Sequence, residues 1–360
     1  MSSDLPQELY VRDVRIAPNL ILAPMEGVTD LTFRRLIRQI GGTGLTVTEF
    51  IPAEGLRRDI PKIREMVQFD ADERPISVQV YGRSSEALAE GAKIAQDLGA
   101  TIVDFNMGCP SKKVCAHSGG SALMKEPELA RQLVRAIRGA VSVPFTVKMR
   151  TGWDVQHKNA VEIAYMCQEE GAEMVTVHWR TRADLYGGVR ELDTIRQVKD
   201  RLKIPVIANG DIVDYESAMD TLRKTGADGV MIGRGAIKNP WVFKQIAAQM
   251  RGEPPCVVDT DEREMVMLGY FQQIRDRFQH DRGALGRFKK IAKYFTHGVP
   301  YGSELREGVL HAQEVTEAIE VVHRFFDRLR RYEAGGANPF LGPREEGLVI
   351  PEESCGISAS

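Results

Sequence analysis

The sequence lacks the features of a membrane-embedded or secreted protein. Its first residues contain no apolar core of the kind a signal peptide needs, and no later segment approaches the ~18 uninterrupted apolar residues of a membrane helix. Cysteine is scarce, because only five residues of this type, an odd number, are spread through the 360-residue chain. That pattern favours a reducing compartment over a disulfide framework. We therefore expect a cytoplasmic protein without membrane association, in which any cysteine of special importance acts through its thiol.

The chain also lacks a strong net charge. Its 48 basic and 50 acidic residues leave a net charge of −2, which excludes a globally basic protein that coats nucleic acid but not a local basic face. Apolar residues make up 43% of the chain, enough for a large core. The length allows either one barrel-sized domain with an appendage or two domains.

Short apolar runs alternate with amphipathic helical patterns eight times. The predicted strands are residues 20–23, 45–50, 76–80, 102–105, 145–149, 174–177, 205–208 and 229–232. Near-continuous apolar strands are typical of burial on both faces, and strict alternation with helices favours parallel pairing. A doubly wound open sheet is the alternative, but no GxGxxG fingerprint follows any of these strands. The pattern therefore predicts an α/β protein with a (β/α)8 TIM barrel.

The composition changes after the eighth strand and its helix. Residues 252–255 form a predicted linker, and residues 261–332 contain helical patterns only. The last 28 residues are rich in Gly, Pro and Glu. We therefore expect a barrel over residues 1–250, a helical domain over 256–332 and a flexible tail over 333–360.

Polar side chains mark the ends of the predicted strands, which in such a barrel converge on one mouth. Gln79 and Lys148 lie inside otherwise apolar runs, and a buried lysine without a partner is costly. The stretches after the seventh and eighth strands, ANGD and IGRGA, offer glycine N–H groups and Arg234 where such barrels commonly bind phosphate. The mouth is therefore predicted to hold an anionic ligand.

Cys109 follows the fourth strand in a tight turn between a glycine and a proline, which lifts its thiol clear of the strand. A thiol near Lys148 or His178 can act as acid, base or nucleophile. One alternative is a small buried core cysteine. Another is a metal cluster with Cys115 and His117, but no CxxC pair is present and only three ligands are supplied. We expect a reactive thiol and no metal.

A basic stretch in the helical region indicates an RNA-binding face. Residues 282–303 contain no acidic residue, and Arg287, Lys290 and Lys293 share helical spacing, with Lys289 beside them. Aromatic residues interleave these cations at Phe288, Tyr294 and Phe295. The alternative is an ordinary solvated helix face.

Together these motifs resemble the tRNA-dihydrouridine synthases, most closely their bacterial B-type branch. The matching stretches are LAPMEGVTDLTFR (22–34), VQVYG (78–82), DFNMGCPSKKV (104–114), GGSALM (119–124), VKMRTGW (147–153), VHWRTR (177–182), PVIANGDI (205–212) and GADGVMIGRGA (226–236). They cover the whole barrel in order, and GRFKKIAKYF (286–295) extends the resemblance into the helical region. One departure is Trp179, where the family usually has glycine, and we expect this side chain to narrow the approach of flavin or RNA.

The resemblance implies an FMN-containing barrel that uses NADPH to reduce the 5,6 double bond of particular uridines in tRNA. Cys109 would be the general acid that protonates carbon 5 while flavin N5 gives hydride to carbon 6. The residues implied to line the isoalloxazine are Pro24, Met25, Glu26, Gln79 and Lys148. Those implied to hold the ribityl phosphate are Asn209, Gly210, Asp211, Gly233 and Arg234. His178 would lie beside the flavin and Asn106 beside the uracil.

Two other functions stay open at this point. The first is an FMN-dependent reductase of a small pyrimidine or enoate, of the dihydroorotate dehydrogenase type, although a small substrate needs no basic helical domain. The second is an RNA-binding protein that has lost catalysis, although Cys109 and Lys148 are retained. Ribosomal RNA is an alternative substrate to tRNA, and no obligatory protein partner is expected.

Overall fold

The computed structural model describes residues 7–111, 114, 119–278, 280–296, 298–335 and 339–340, with side chains for all of these except 293 and 294. The chain forms two compact units, Met1–Val257 and Val258–Ser360. Across the described residues, no helix combines the length and the apolar character needed to cross a membrane.

The first unit contains a closed parallel barrel. Its strands are Leu20–Leu22, Leu45–Val47, Ile51–Pro52, Ile76–Tyr81, Ile102–Met107, Phe145–Arg150, Met174–His178, Val206–Asn209 and Gly229–Ile232. The last strand pairs with the first, the first with Leu45–Val47 and that strand with Ile76–Tyr81, which closes the ring. Ile51–Pro52 pairs with the same neighbour and continues the second strand after a break. The predicted eight-stranded TIM barrel is confirmed, with its second strand in two pieces.

Helices follow the strands of the barrel. They are Leu31–Ile40, Ala53–Arg57, Pro61–Met66, Ser85–Asp97, Pro127–Ala140, Ala160–Glu169, Asp193–Arg201, Tyr215–Thr225, Arg234–Lys238 and Val242–Met250, with 3-10 turns at Ala71–Glu73 and Gly120–Lys125. Several begin at polar caps, as where the side chain of Asp30 accepts a hydrogen bond from the Phe33 N–H at 3.0 Å. Pro61 occupies the first position of helix Pro61–Met66, where its missing N–H has no intrahelical partner to lose.

An N-terminal hairpin, which the sequence analysis does not predict, closes the floor of the barrel. Leu9–Val11 pairs antiparallel with Val14–Ile16. The hairpin's apolar residues belong to one core cluster with inward-facing residues of six barrel strands: Leu9, Val11, Ile16, Ile21, Ala23, Leu45, Val47, Ile102, Met174, Ile207 and Met231. With the floor filled, the carboxyl ends of the strands are the open end.

The second unit is a bundle of helices Thr260–Arg277, Asp281–Phe295, Gly302–His311 and Val315–Glu333. Consecutive helices pack on one another, and the first also packs on the last. This confirms a helical region after the barrel. Two described parts of the expected tail belong to the bundle: Glu333 ends the last helix, and the Phe340 ring stacks on Tyr301 with 4.4 Å between centroids.

Candidate active site at the barrel mouth

The register of the strands places four polar residues in neighbouring positions near the open end. Asn106 lies opposite Lys148 on the neighbouring strand, and His178 lies opposite Asn209 on the strand after it. Since side chains alternate along a strand, residues at these positions point toward the barrel interior. The structure therefore brings together the predicted tips of the fourth to seventh strands.

The turn that carries Cys109 is held from three directions. Asn106 Oδ1 accepts hydrogen bonds from the backbone N–H groups of Gly108 and Cys109, both at 2.9 Å. The N–H and hydroxyl groups of Ser121 donate to the Cys109 carbonyl oxygen at 3.0 and 2.9 Å. Arg150 Nε donates to the Gly108 carbonyl oxygen at 2.9 Å. The thiol is not in a disulfide, and Cys109 is only 8% exposed. The backbone of the turn is therefore held in place by these hydrogen bonds.

A buried hydrogen-bond network lies behind this turn. Gln79 Nε2 donates to Asp104 Oδ2 at 2.6 Å, and Asn106 Nδ2 donates to Gln79 Oε1 at 2.7 Å. The Thr146 hydroxyl donates to Asp104 Oδ1 at 2.5 Å. Burial raises the pKa of Asp104 to about 6, although the bonds from Gln79 and Thr146 oppose the shift. The amides of Gln79 and Asn106, implied flavin and uracil contacts, are thus bonded to protein neighbours.

Positive charge surrounds His178. Burial lowers the pKa of its imidazole well below 6.5, and the charges of Lys148, Arg150, Arg180 and Arg234 lower it further. The pKa of the half-buried Lys148 falls to about 8, first through burial and then through the charge of Arg150. The imidazole is therefore neutral at pH 7 and can donate or accept a hydrogen bond.

Arg150 is a buried cation whose hydrogen bonds go to backbone carbonyl groups. Besides Gly108, its guanidinium donates to Thr181 at 2.7 Å and to Leu185 at 3.2 Å. Burial lowers its pKa to about 10, still far above neutrality. Arg150 therefore ties the cysteine turn to the loop that follows the sixth barrel strand.

At the other side of the mouth, two arginines share the carboxylate of Asp211. Arg180 donates to both of its oxygens at 3.1 and 2.8 Å, and Arg234 donates to Oδ1 at 2.7 Å. The side chain of Asn209 donates to the Met231 carbonyl oxygen at 2.8 Å and so links two strands. The Asp211 carboxylate is therefore bonded to both arginines. An anion on this side of the mouth could be bound by backbone N–H groups and by the exposed Arg234.

The loop after the first barrel strand reaches the same region. Met25 N–H donates to the Thr29 hydroxyl at 2.9 Å, and the Gly27 N–H donates to a Glu49 carboxylate oxygen. A Cβ at Gly233 would lie 3.5 Å from Met25 Sδ, so this loop borders the tip of the eighth strand. Pro24 and Met25 are half-buried and Glu26 is exposed.

Trp179 lies in the wall of the barrel rather than in its mouth. The side chain is 3% exposed, and a Cβ at Gly210 would lie only 2.5 Å from its ring. The Arg180 guanidinium lies over the ring, 4.0 Å from its centroid. The buried ring thus does not support the expectation that Trp179 narrows the approach of a ligand. It packs behind Gly210 and supports Arg180.

The basic stretch lies on helix Asp281–Phe295 of the second unit. Lys290 is exposed, Arg287 and Lys289 are half-buried, and the side chain of Lys293 lies outside the described residues. The aromatic residues Phe288 and Phe295, which interleave these cations in the sequence, do not share an exposed face with them. Both are buried, and they stack on Phe271 and Tyr270 in the bundle core. Their helical positions face inward.

Sequence reasoning missed two side chains that shape the site. Asp104 lies inside a strand that the sequence analysis treats as an apolar run. A carboxylate inside such a run is itself a signal of a functional or structural role, because its burial is costly. Ser121 has no comparable signal, since its bond to the Cys109 carbonyl depends on chain folding. Within the described residues, no His, Cys, Asp and Glu group is arranged to hold a metal ion. Cys115 and His117 lie outside them.

The chain is similar to a well-defined group of proteins. A family model described as dihydrouridine synthase matches residues 21–330. A probable tRNA-dihydrouridine synthase of Rickettsia conorii is 38% identical over 323 residues, which are 88% of this chain and 96% of that relative. The tRNA-dihydrouridine synthase B of Pseudomonas syringae is 39% identical over 311 residues, which are 85% of this chain and 91% of that relative.

A solved structure shares the fold at low sequence identity. The complex of 2-naphthoyl-CoA reductase with 2-naphthoyl-CoA has a TM-score of 0.54 and 13% identity to this chain. The match covers 71% of this chain and 53% of the reductase chain. This likeness concerns the fold alone.

Proposed function

This chain belongs to the dihydrouridine synthase family, and from that membership we propose that it reduces uridines of tRNA to dihydrouridine, with FMN as its cofactor and NADPH as the reductant. The family match confirms the resemblance seen in the motifs. The observation that best supports the activity is the Cys109 turn, held by bonds to its backbone, in the same barrel mouth as a group of cations. A substrate of this kind is consistent with a cytoplasmic enzyme.

The residues at the mouth fit a phosphorylated flavin. Arg180 and Arg234 share one carboxylate, and this excess of positive charge would be balanced by a phosphate. The N–H groups of Gly210, Asp211 and Gly233 border the same place, at the ends of the seventh and eighth strands where barrels of this type commonly bind phosphate. Asn209 would hold the two strands together rather than contact the phosphate.

Other residues would contact the isoalloxazine. Lys148 and His178 lie on adjacent strands near the open end, and both are half-buried. The half-buried Pro24 and Met25 and the exposed Glu26 border the mouth from the first strand. Gln79 has no exposed surface, so its amide would act mainly by orienting Asn106.

The protein and the cofactor supply different parts of the reduction. A bound flavin supplies a hydride to carbon 6 of the uracil. Cys109 supplies the proton at carbon 5, since a thiol is mostly protonated near neutral pH and can act as a general acid. The bonds to its backbone hold the turn that carries the thiol in place. The target base must leave its stack to enter the mouth, which costs a few kcal/mol.

We also propose that helix Asp281–Phe295 contacts the tRNA backbone. The double variant Lys289→Glu/Lys290→Glu should weaken tRNA binding at physiological salt about tenfold or more, because each phosphate contact releases counterions. Fluorescence anisotropy over a series of salt concentrations measures the affinity and its salt dependence.

The matched control is Arg324→Glu/Arg331→Glu, which makes the same charge change at exposed positions of another helix of the bundle. It should weaken binding much less. Equal losses for the two double variants would indicate a general charge effect, and an unchanged affinity for the first would exclude this helix as the RNA face.

The activity itself is tested with purified protein and tRNA that lacks dihydrouridine. With NADPH, we expect a yellow protein whose flavin is reoxidised by the tRNA, and dihydrouridine should appear in the digested RNA by mass spectrometry. A colourless protein that cannot be reconstituted with FMN would contradict the cofactor assignment. Reduction of free pyrimidines but not of tRNA would favour a small-molecule reductase, and tRNA binding without reduction would favour an RNA-binding protein.

A further inference from the structure

A chain of hydrogen bonds connects Asp104, deep in the barrel, to the turn of Cys109. Its links run from Asp104 Oδ2 to the amide of Gln79, from Gln79 to the amide of Asn106, and from Asn106 to two backbone N–H groups. All three side chains are at most 5% exposed. The links measure 2.6 to 2.9 Å. None depends on contact with solvent.

The two ends of this chain admit only one orientation of the amides between them. The backbone N–H groups at the Cys109 turn can only donate, so the carbonyl oxygen of Asn106 must face them. An ionised carboxylate can only accept, so the NH2 group of Gln79 must face Asp104. The remaining link then joins the Asn106 NH2 group to the Gln79 carbonyl oxygen. If either amide rotated by half a turn, two donors or two acceptors would face each other in a buried place.

We propose that Asp104 is a positioning residue, which fixes the orientation of two buried amides and thereby holds the Cys109 turn in the geometry needed for proton transfer. The proposal rests on the role of Cys109 in the proposed function. Asp104 acts through Gln79 and Asn106 and does not itself touch the substrate.

Burial of the carboxylate supports this role. An apolar residue at this position would avoid the desolvation free energy that a buried carboxylate costs. The raised pKa, about 6, leaves the group ionised at pH 7 and therefore able only to accept. The second oxygen is used by Thr146, which lies outside the chain of amides. Thr146 is therefore a natural control.

The first test is the variant Asp104→Leu, which keeps a similar volume but removes the acceptor of the Gln79 amide. The thiol of Cys109 should then react with iodoacetamide at least about tenfold faster in the flavin-free protein. The reason is that the Asn106 amide is no longer held in the orientation that bonds the turn, so the turn opens more often. Peptide mapping distinguishes it from the other four cysteines of the chain, among them Cys167, whose thiol is buried with a pKa of about 12. With flavin bound, reoxidation of the reduced enzyme by tRNA should slow by ten- to a hundredfold. Flavin reduction by NADPH should stay within about twofold, because Cys109 has no part in it.

Two further variants separate hydrogen bonding from charge. In Asp104→Asn, the amide oxygen still accepts from Gln79, and the new NH2 group can donate to the Thr146 hydroxyl. This variant should therefore show slow alkylation of Cys109 and most of the wild-type reoxidation rate. Thr146→Val should resemble the wild type. If Asp104→Asn is as defective as Asp104→Leu, the negative charge matters rather than the amide orientation, and the proposal is wrong. It is also wrong if Asp104→Leu leaves alkylation within twofold of the wild type.

A fourth variant covers the case in which Asp104→Leu does not fold. Gln79→Met keeps the side-chain length but breaks the chain one link later, and it should also accelerate alkylation of Cys109 in the flavin-free protein. Unchanged alkylation would overturn the proposal. Because alkylation needs neither flavin nor RNA, its result is independent of the proposed function, which fails separately if Cys109→Ala retains full activity.

Discussion

Replacing Cys109 by alanine is expected to slow dihydrouridine formation by about 10²- to 10⁴-fold, the usual contribution of a general acid. Binding of FMN and tRNA should change little. The hydrogen bonds described for this turn, from Asn106 Oδ1 and from Ser121, reach the Cys109 backbone, which alanine retains. The substitution thus removes the proton donor without removing the bonds that shape the turn.

Single-turnover kinetics separate the steps. The variant should accept electrons from NADPH at the wild-type rate, whereas its reduced flavin should be reoxidised by tRNA far more slowly. Cys256→Ala is the matched control, because it removes a partly exposed thiol from the segment between helices Val242–Met250 and Thr260–Arg277. Reoxidation of Cys109→Ala within twofold of the wild-type rate would show that another group protonates carbon 5.

The sequence predicts the barrel because each strand is apolar on both faces and is followed by an amphipathic helix. It does not reveal the hairpin under the barrel, although Leu9, Val11, Val14 and Ile16 alternate with polar residues. The turn between its strands lacks the usual Asn-Gly or Asp-Gly signal, and Arg12 adopts a positive φ of 56° instead. Packing of the hairpin's apolar side chains into the barrel core stabilises a turn that local preferences alone would not predict.

The candidate site is only partly readable from the sequence. Strand tips predict where polar groups gather, because all parallel strands end at one mouth. Their partners depend on approaches between distant segments, as when Arg180 and Arg234 meet the carboxylate of Asp211. The basic residues of helix Asp281–Phe295 show a second limit of sequence-based prediction. Spacing alone identifies one face for the cations, but it does not show that the aromatic residues between them face the core.

The second large effect concerns stability. Glu73→Gln should lower the free energy of unfolding of the barrel by about 3–5 kcal/mol, the typical result of removing one partner of a buried ion pair. Arg34 and Glu73 are 0% and 1% exposed, and their closest atoms lie 2.8 Å apart. Arg34 also donates to the carbonyl oxygens of Thr29 and Gln68 at 2.9 and 2.7 Å. It therefore anchors the loop that carries Met25, and its charge would be left uncompensated.

The three tryptophans make this measurement specific, because Trp153, Trp179 and Trp241 all lie in the first unit and their fluorescence reports its unfolding by urea. The control is Asp97→Asn, which breaks an exposed pair with Lys93 and should cost at most about 1 kcal/mol. Equal losses for the two variants would mean that burial adds nothing to the Arg34–Glu73 pair. A loss confined to Glu73→Gln would instead show that the loop bordering the proposed flavin site depends on a charge pair that solvent does not reach.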